Sequence, residues 1–387
     1  MRRKTKITIL KCLVNACRLL LAITFIFSGF VKANDPLGMV YKFEEYVNSV
    51  AWLTLPETFL LGCAVILAVF EFVLGVYILV GISTAKTSRI AVAFMTVMTL
   101  LTVYIVIANP VSDCGCFGDV IKLSNEATLG KNIVLLAAAI VCERYKRLQF
   151  HFLVASVRWF ISLISLCFII GYTVYCVVCQ PVIDFSPYKT GVSLRGGSEV
   201  SDGAKYDIKI VYEKDGETME LSVDDDDPDP TWNYVETRRI IMNSAHTAAV
   251  DFYVEDMDND DITDDITYAD GYTFLLVIPN LLNADEGCVD RVNDIYDYAQ
   301  EQNMGFYCLT ASADEHSQTY WNEHTGAEYA YCIADESMLK TIVRGKPGLI
   351  LLHNGTIVKK WSNHNMPNSE ELAEKYSHLF KRNTELT

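Results

Sequence analysis

The sequence predicts an α-helical membrane bundle of five spans followed by an α/β domain on the outer side, and three observations carry that assignment. Charge splits the chain: residues 1–183 carry a formal +7 and residues 184–387 a formal −23, within a total of −16. The first part holds five apolar runs, most of them near the ~20 residues that cross a hydrocarbon core. The second alternates short apolar strand-like runs with amphipathic helical ones. The expected division is 1–183 for the bundle, 184–249 for a β-rich linker segment and 250–387 for the outer domain.

The apolar runs are Cys12–Phe30, Phe59–Ile82, Ile90–Ala108, Leu129–Cys142 and Leu153–Val178. The fourth is short, and Lys131 near its start has to snorkel. Arg2, Arg3, Lys4, Lys6 and Lys11 precede span one, Lys86 and Arg89 join spans two and three, and Arg144, Lys146 and Arg147 join four and five. Those loops are expected to be cytoplasmic. The loops 31–58 and 109–128 then lie outside, and an odd number of spans puts the acidic part outside too. Val31-Lys32-Ala33 imitates a cleavage site, but the apolar run before it is too long for a signal core, so span one is read as uncleaved.

Lys32 can reach the interface at the end of span one, and Pro36 stops the helix. Tyr41, Glu45 and Asn48 at helical spacing predict an amphipathic segment on the membrane surface, a lid-like interfacial helix in its plainest form. Glu71 falls near the middle of span two. A carboxyl there is expensive, so it is expected to be protonated or paired, which makes it a candidate proton-relay or ligand group against a plain packing role.

Two thiols two residues apart, Cys114 and Cys116, lie in Asp113-Cys114-Gly115-Cys116-Phe117-Gly118-Asp119, at the outer mouth of a span. A disulfide between them would close a small strained ring, so each is easily reduced or seeks another partner. Cys63 and the pair Cys176 and Cys179 are assigned to the same outer level. Cys12, Cys17 and Cys142 fall near the cytoplasmic ends and Cys167 mid-membrane. Redox or disulfide-forming cysteines are set against cysteines that merely pack as small hydrophobes.

Phe27-Ser28-Gly29-Phe30-Val31-Lys32 with Asp35-Pro36, Glu71-Phe72-x-x-Gly75, and the Cys-Gly-Cys-Phe-Gly element resemble the DoxX/MauE group of small bacterial membrane proteins, over about the first 140 residues. The resemblance implies a four-helix membrane bundle similar to quinone-linked disulfide-forming enzymes, with roles in thiol redox balance or in maturing periplasmic enzymes. The fifth span is an addition to that pattern.

In the acidic part, Tyr206–Tyr212 and Met219–Val223 predict a hairpin across Lys214-Asp215-Gly216, and Asp224–Asp227 a solvated loop. Asp256-x-Asp258-x-Asp260-Asp261 imitates a calcium loop but has no glycine at the sixth position and Thr267 in place of the bidentate Glu, so a β-turn is the reading. The expected order is strands at Val250–Val254, Ile262–Ile266 and Tyr272–Ile278, a helix at Asp285–Gln302, strands at Gly305–Leu309 and Tyr329–Ile333, and a helix at Ser337–Arg344. A hairpin of Gly348–His353 with Thr356–Trp361 and a helix at Ser369–Lys381 close the chain. That order resembles the thioredoxin fold in its periplasmic thiol-reductase-like form, with Lys346-Pro347-Gly348 matching its cis-proline position. Where that fold carries Cys-x-x-Cys, the chain has Pro279-Asn280-Leu281-Leu282-Asn283-Ala284, and Cys288 stands further on, alone. Cys308 and Cys332 are assigned to neighbouring strands, as core residues ahead of a bridge.

His316, His324, His353 and His364 form no metal-ligand pattern, and the −23 charge argues against nucleic acid. The leading expectation is a bacterial inner-membrane thiol-disulfide redox protein. Cys114 and Cys116 exchange with Cys176 and Cys179, Glu71 lies toward a quinone acceptor, and the non-catalytic outer domain presents or shields periplasmic protein thiols. The alternatives are a non-enzymatic membrane scaffold that docks a periplasmic partner and a small-molecule transporter using Glu71 as its proton group.

Overall fold

The computed structural model describes residues 2–48, 55–108, 115–121, 123–150, 154–195, 206–214, 217–222, 233–241, 252–326, 329–374, 376 and 380. Asp113 and Cys114 lie outside them, as do Val250 and the acidic run Asp224–Asp227.

The first part consists of α1 (Arg2–Asn34), α2 (Pro36–Asn48), α3 (Glu57–Val80), α4 (Thr84–Ala108), α5 (Asn125–Arg144) and α6 (Ala155–Val178). All but α2 are long and apolar enough to cross a membrane. Large apolar side chains such as Val97, Leu100, Ile107, Trp159 and Val174 stay exposed on these helices, as lipid-facing surfaces require. The short fourth run becomes a full helix because its polar residues turn inward. Asn132 Nδ2 donates to Thr102 Oγ1 of α4 at 2.6 Å, and both residues are buried.

The centre of the bundle is the antiparallel pair α1 and α3. A Cβ on Gly29 would lie 2.4 Å from Phe72 N, and one on Gly75 would lie 2.6 Å from Ile26 N, so only glycine lets the backbones meet. Leu21, Ala22, Phe25, Leu74, Ile78, Met95, Leu135 and Ala138 fill the interior. Arg18, also buried, donates to the carbonyls of Ile78 (2.6 Å) and Leu79 (2.6 Å) at the end of α3, where the helix dipole favours a cation. The helix α6 packs outside this core, with the Tyr172 ring stacked on Phe30 at 5.0 Å.

Beyond the bundle, β1 (Tyr206–Lys214), β2 (Glu217–Ser222) and β3 (Asn233–Ile241) form an antiparallel sheet in the order β2-β1-β3. The predicted hairpin is its β1-β2 edge. The third strand was not expected from the sequence.

The chain then runs through α7 (Thr263–Thr267), β4 (Tyr272–Ile278), α8 (Val289–Glu301), β5 (Gly305–Thr310), α9 (Glu315–Thr325), β6 (Ala330–Ile333), α10 (Glu336–Ile342), β7 (Gly348–His353), β8 (Thr356–Ser362) and α11 (Ser369–Glu374). The five strands form one mixed sheet, β6-β5-β4-β7-β8, with β4, β5 and β6 parallel and β7 and β8 antiparallel to their neighbours. Leu275, Val277, Ile350 and Leu352 pack with Leu339 and Ile342 on one face; Phe274, Leu276, Leu349 and Leu351 pack with Val292, Ile295 and Trp361 on the other. Covering both faces is what makes β4 a continuous apolar run.

Two expected strands are corrected. Residues 252–254 carry no regular strand, followed only by isolated bridges from Glu255 to Asp261 and to Ile333, and Ile262–Ile266 largely becomes α7. Asp256 Oδ1 accepts the N–H groups of Asp258 (2.8 Å) and Asp260 (2.9 Å), a turn held by its own side chain, so the segment has no reason to extend. The helix α9 was also unforeseen; it is started by Asp314, whose carboxylate accepts from Ser317 N at 2.8 Å.

Candidate functional site

The three sequence motifs of the bundle meet at one point. Lys32 near the end of α1 extends its ammonium to Glu71 Oε2 (2.8 Å), Ser28 Oγ (2.7 Å) and the Cys116 carbonyl (2.8 Å). Its three N–H donors are thereby used. Ser28 Oγ donates to the same carbonyl at 2.9 Å. The expectation that Lys32 reaches the interface is therefore corrected. It is 3 % exposed, because a charge on α3 within reach is a better partner than the membrane surface. Glu71 is paired, as the cost of a buried carboxylate demands.

The turn around Cys116 is built on glycine. Gly115 and Gly118 have φ of 65° and 52°, and Gly118 N donates to Gly115 O at 3.1 Å. Its Phe117 ring lies 5.5 Å from that of Phe27, and Lys131 Nζ sits 4.1 Å from the centroid of Phe117. Lys131, expected to snorkel, reaches past the start of α5 to the loop turn. Cys116 is partly buried against Ile105 of α4, as is Tyr46 of α2.

Across a narrow cleft lies the end of α6. Cys176 is buried and Cys179, just past the helix, is partly exposed. Asn34 ties the following segment to α1, accepting from Ile183 N (3.1 Å) and Tyr172 Oη (2.8 Å) and donating to Ile183 O (2.7 Å). Gly115 and Gly118 line one side of the cleft, Gln180, Pro181 and residues 183–186 another, and Arg344 and Lys360 of the C-terminal α/β domain, outer with respect to the bundle, close it. The structure therefore brings the Cys116 turn and the chain just after Cys179 to one cleft. Cys63 stands apart, eight residues from Glu71 along α3, roughly 12 Å at the helical rise.

The outer domain grips this region with cations. Arg344 pairs with Asp35 through Nε (2.9 Å) and Nη2 (2.7 Å), Lys346 with Glu57 at 2.7 Å, Lys340 with Glu44 at 3.2 Å, and Lys360 with Asp184 at 2.5 Å. Gln180 donates to Arg344 O at 2.6 Å and accepts from Arg344 N at 3.2 Å; Ser362 donates to Val178 O at 3.0 Å. Lys340, Arg344 and Lys346 all lie within 6 Å of the Tyr41 ring. Burial pushes the Tyr41 hydroxyl up. Burial also opposes ionisation of Asp184, but Lys360 and Ser186 outweigh it and hold that carboxyl below its usual range.

Sequence reasoning gave Arg344 no role beyond a helix end, and read Asp35-Pro36 as a stop and as part of the family pattern, not as a helix start. The signal was available for Asp35, because Asp followed by Pro is also a helix start. Asp35 Oδ1 accepts from Gly38 N at 2.9 Å at the head of α2. For Arg344 there was no local signal.

In the outer domain, Lys346–Pro347 is cis, and 3-10 turns occupy the segment between β4 and α8. Cys308 lies opposite Tyr331 in the register and belongs to the cluster on one sheet face, whereas Cys332 belongs to the other. They are core residues, not a bridge. Burial raises the Cys288 and Cys332 thiols to about 12, and that of Cys308 well above its ordinary value.

Glu71 Oε2 is taken by Lys32, and the pair is enclosed, the two side chains being 2 % and 4 % exposed. The large apolar groove of the bundle, lined by Val65, Val69, Phe70, Val73 and Leu166, opens on the other face of α3 by the helical period.

No curated protein and no solved structure matches the chain. Residues 10–142 match the family described as Methylamine utilisation protein MauE, which takes in all three motifs and ends within α5, so the membrane part of this chain is MauE-like.

Proposed function

We propose that this protein is a thiol-disulfide redox protein of the bacterial inner membrane, serving redox balance or maturation of periplasmic proteins. The observation that carries the reading is that the turn between Gly115 and Gly118, which holds Cys116, and the chain just after Cys179 line one cleft. The basic loops lie on the cytoplasmic side, and the acidic part is periplasmic. The strand order and directions of the outer sheet support a thioredoxin-like domain without its dithiol, so it binds or covers rather than exchanges.

In the exchange, the Cys179 thiolate attacks a Cys114–Cys116 disulfide. One S–S bond forms as the other breaks, and the released thiolate takes a proton. Cys176 then attacks the mixed disulfide, leaving Cys176–Cys179 oxidised and Cys114 and Cys116 reduced, with two electrons moved and no further reactant.

The Cys114→Ser/Cys176→Ser variant tests this. With diamide supplied as the two-electron oxidant, a Cys116–Cys179 crosslink found by peptide mass spectrometry is expected. Free alkylation of both thiols, together with full function of Cys114→Ser/Cys116→Ser, overturns the reading.

The buried thiols of the outer domain favour a second reading, a scaffold whose cysteines only pack. A scaffold's thiol populations stay unchanged across a reductant series, while a relay's shift. Transport through Glu71 gains no support, since its carboxylate is committed to Lys32.

A further inference from the structure

We propose that α2 is a lid on the turn at Gly115 and Cys116 and that the outer domain latches it shut. The helix covers the turn directly: the Lys42 stem lies against the position of Gly115, and Tyr46 shares Ile105 with Cys116. Below, Met39 and Val40 of α2 pack on Leu60 and Ala64 of α3. Above, the outer domain takes hold at both ends of the helix. Arg344 pairs with Asp35, the residue that caps its first turn, and Lys340 pairs with Glu44 near its last. Tyr41, between them, faces three cations.

These cations belong to a part of the chain whose net charge is −23, so their gathering on the face toward α2 is a matched surface rather than an average one. The cleft beside the turn has about 50 Å³ of open space, room for water but not for a polypeptide. Cys116 is partly buried with α2 in place, and lifting the helix opens the way for a protein thiol to reach it. The latch therefore regulates access to the proposed redox site, and it rests on that reading for its purpose though not for its test.

The test is the rate at which a water-soluble maleimide modifies Cys116 in the reduced full-length protein, followed by peptide mass spectrometry. Arg344→Gln/Lys340→Gln is expected to label at least tenfold faster than wild type, and the charge swap Asp35→Arg/Arg344→Asp to return toward the wild-type rate. Cys288, buried in the outer domain, stays unlabelled while that domain is folded. An unchanged Cys116 rate with Cys288 protected overturns the latch. If the double variant exposes Cys288, the wild type is used with rising salt, which weakens the partly exposed pairs. A rate that climbs then supports the latch, and a flat one overturns it. Labelling reads access alone, so the redox reading fails separately, by the crosslink experiment.

Discussion

Lys32 Nζ lies 2.8 Å from Glu71 Oε2, and the two side chains are 2 % and 4 % exposed. The same ammonium holds the Cys116 carbonyl, so an ion pair between α1 and α3 also fixes the turn that carries the candidate thiol. Such a pair contributes little net stability, but leaving one member alone is costly.

Glu71→Ala should therefore destabilise the bundle by about 3–5 kcal/mol, the cost of a buried, uncompensated charge. Lys32→Met/Glu71→Met should recover most of that, since two apolar groups need no partner. Unfolding of both variants in one detergent, by thermal denaturation, checks the ordering; a double variant as unstable as the single one contradicts it.

Gly29→Val should loosen the α1–α3 contact by roughly 1–3 kcal/mol through overpacking, because even a Cβ would meet Phe72 N at 2.4 Å. Gly171→Ala, with nothing within 4 Å of the added carbon, is the control and should be neutral or mildly stabilising. Paired unfolding curves distinguish the two.

Asp184 gives a pH dependence with a definite sign. Its folded-state carboxyl titrates below its ordinary value because Lys360 and the Ser186 contacts overcome the burial penalty. The stabilisation is thus present above the unfolded value of about 3.9 and lost as pH falls through the lower folded one. Asp184→Asn should be less stable at neutral pH and lose less stability between pH 5 and pH 2, in denaturant midpoints measured across that range.

Cys288, Cys308 and Cys332 should resist iodoacetamide at pH 8 in the folded protein, because burial keeps each as a neutral thiol. All three should react once denaturant unfolds the outer domain. Quantitative peptide mapping before and after unfolding provides the check.

Much of this arrangement was legible in the residues. The five spans follow from apolar length, and the outer sheet from alternating pattern. Glu71 stood out because a buried acid is expensive in lipid, Cys116 because two thiols two residues apart suggest redox chemistry, and the Gly29 segment through the family resemblance. The strand at 262–266 was misread because turn-forming aspartates beside Ile262 compete with extension, a local effect that hydrophobic pattern does not register. Helix α9 has too few apolar positions to betray itself, with Trp321 among them fully buried.

By itself the sequence determined the long apolar helices and the apolar strands of the core, since hydrophobic length and periodicity are properties of consecutive residues. Only the tertiary structure decided partnership. Lys32 meets Glu71 across 39 positions, and Arg344 meets Asp35 across 309. Charges so far apart are brought together by the packing of whole elements. For that reason the motif around Cys116 was visible in the chain, whereas the pair that pins it and the domain that covers it were not.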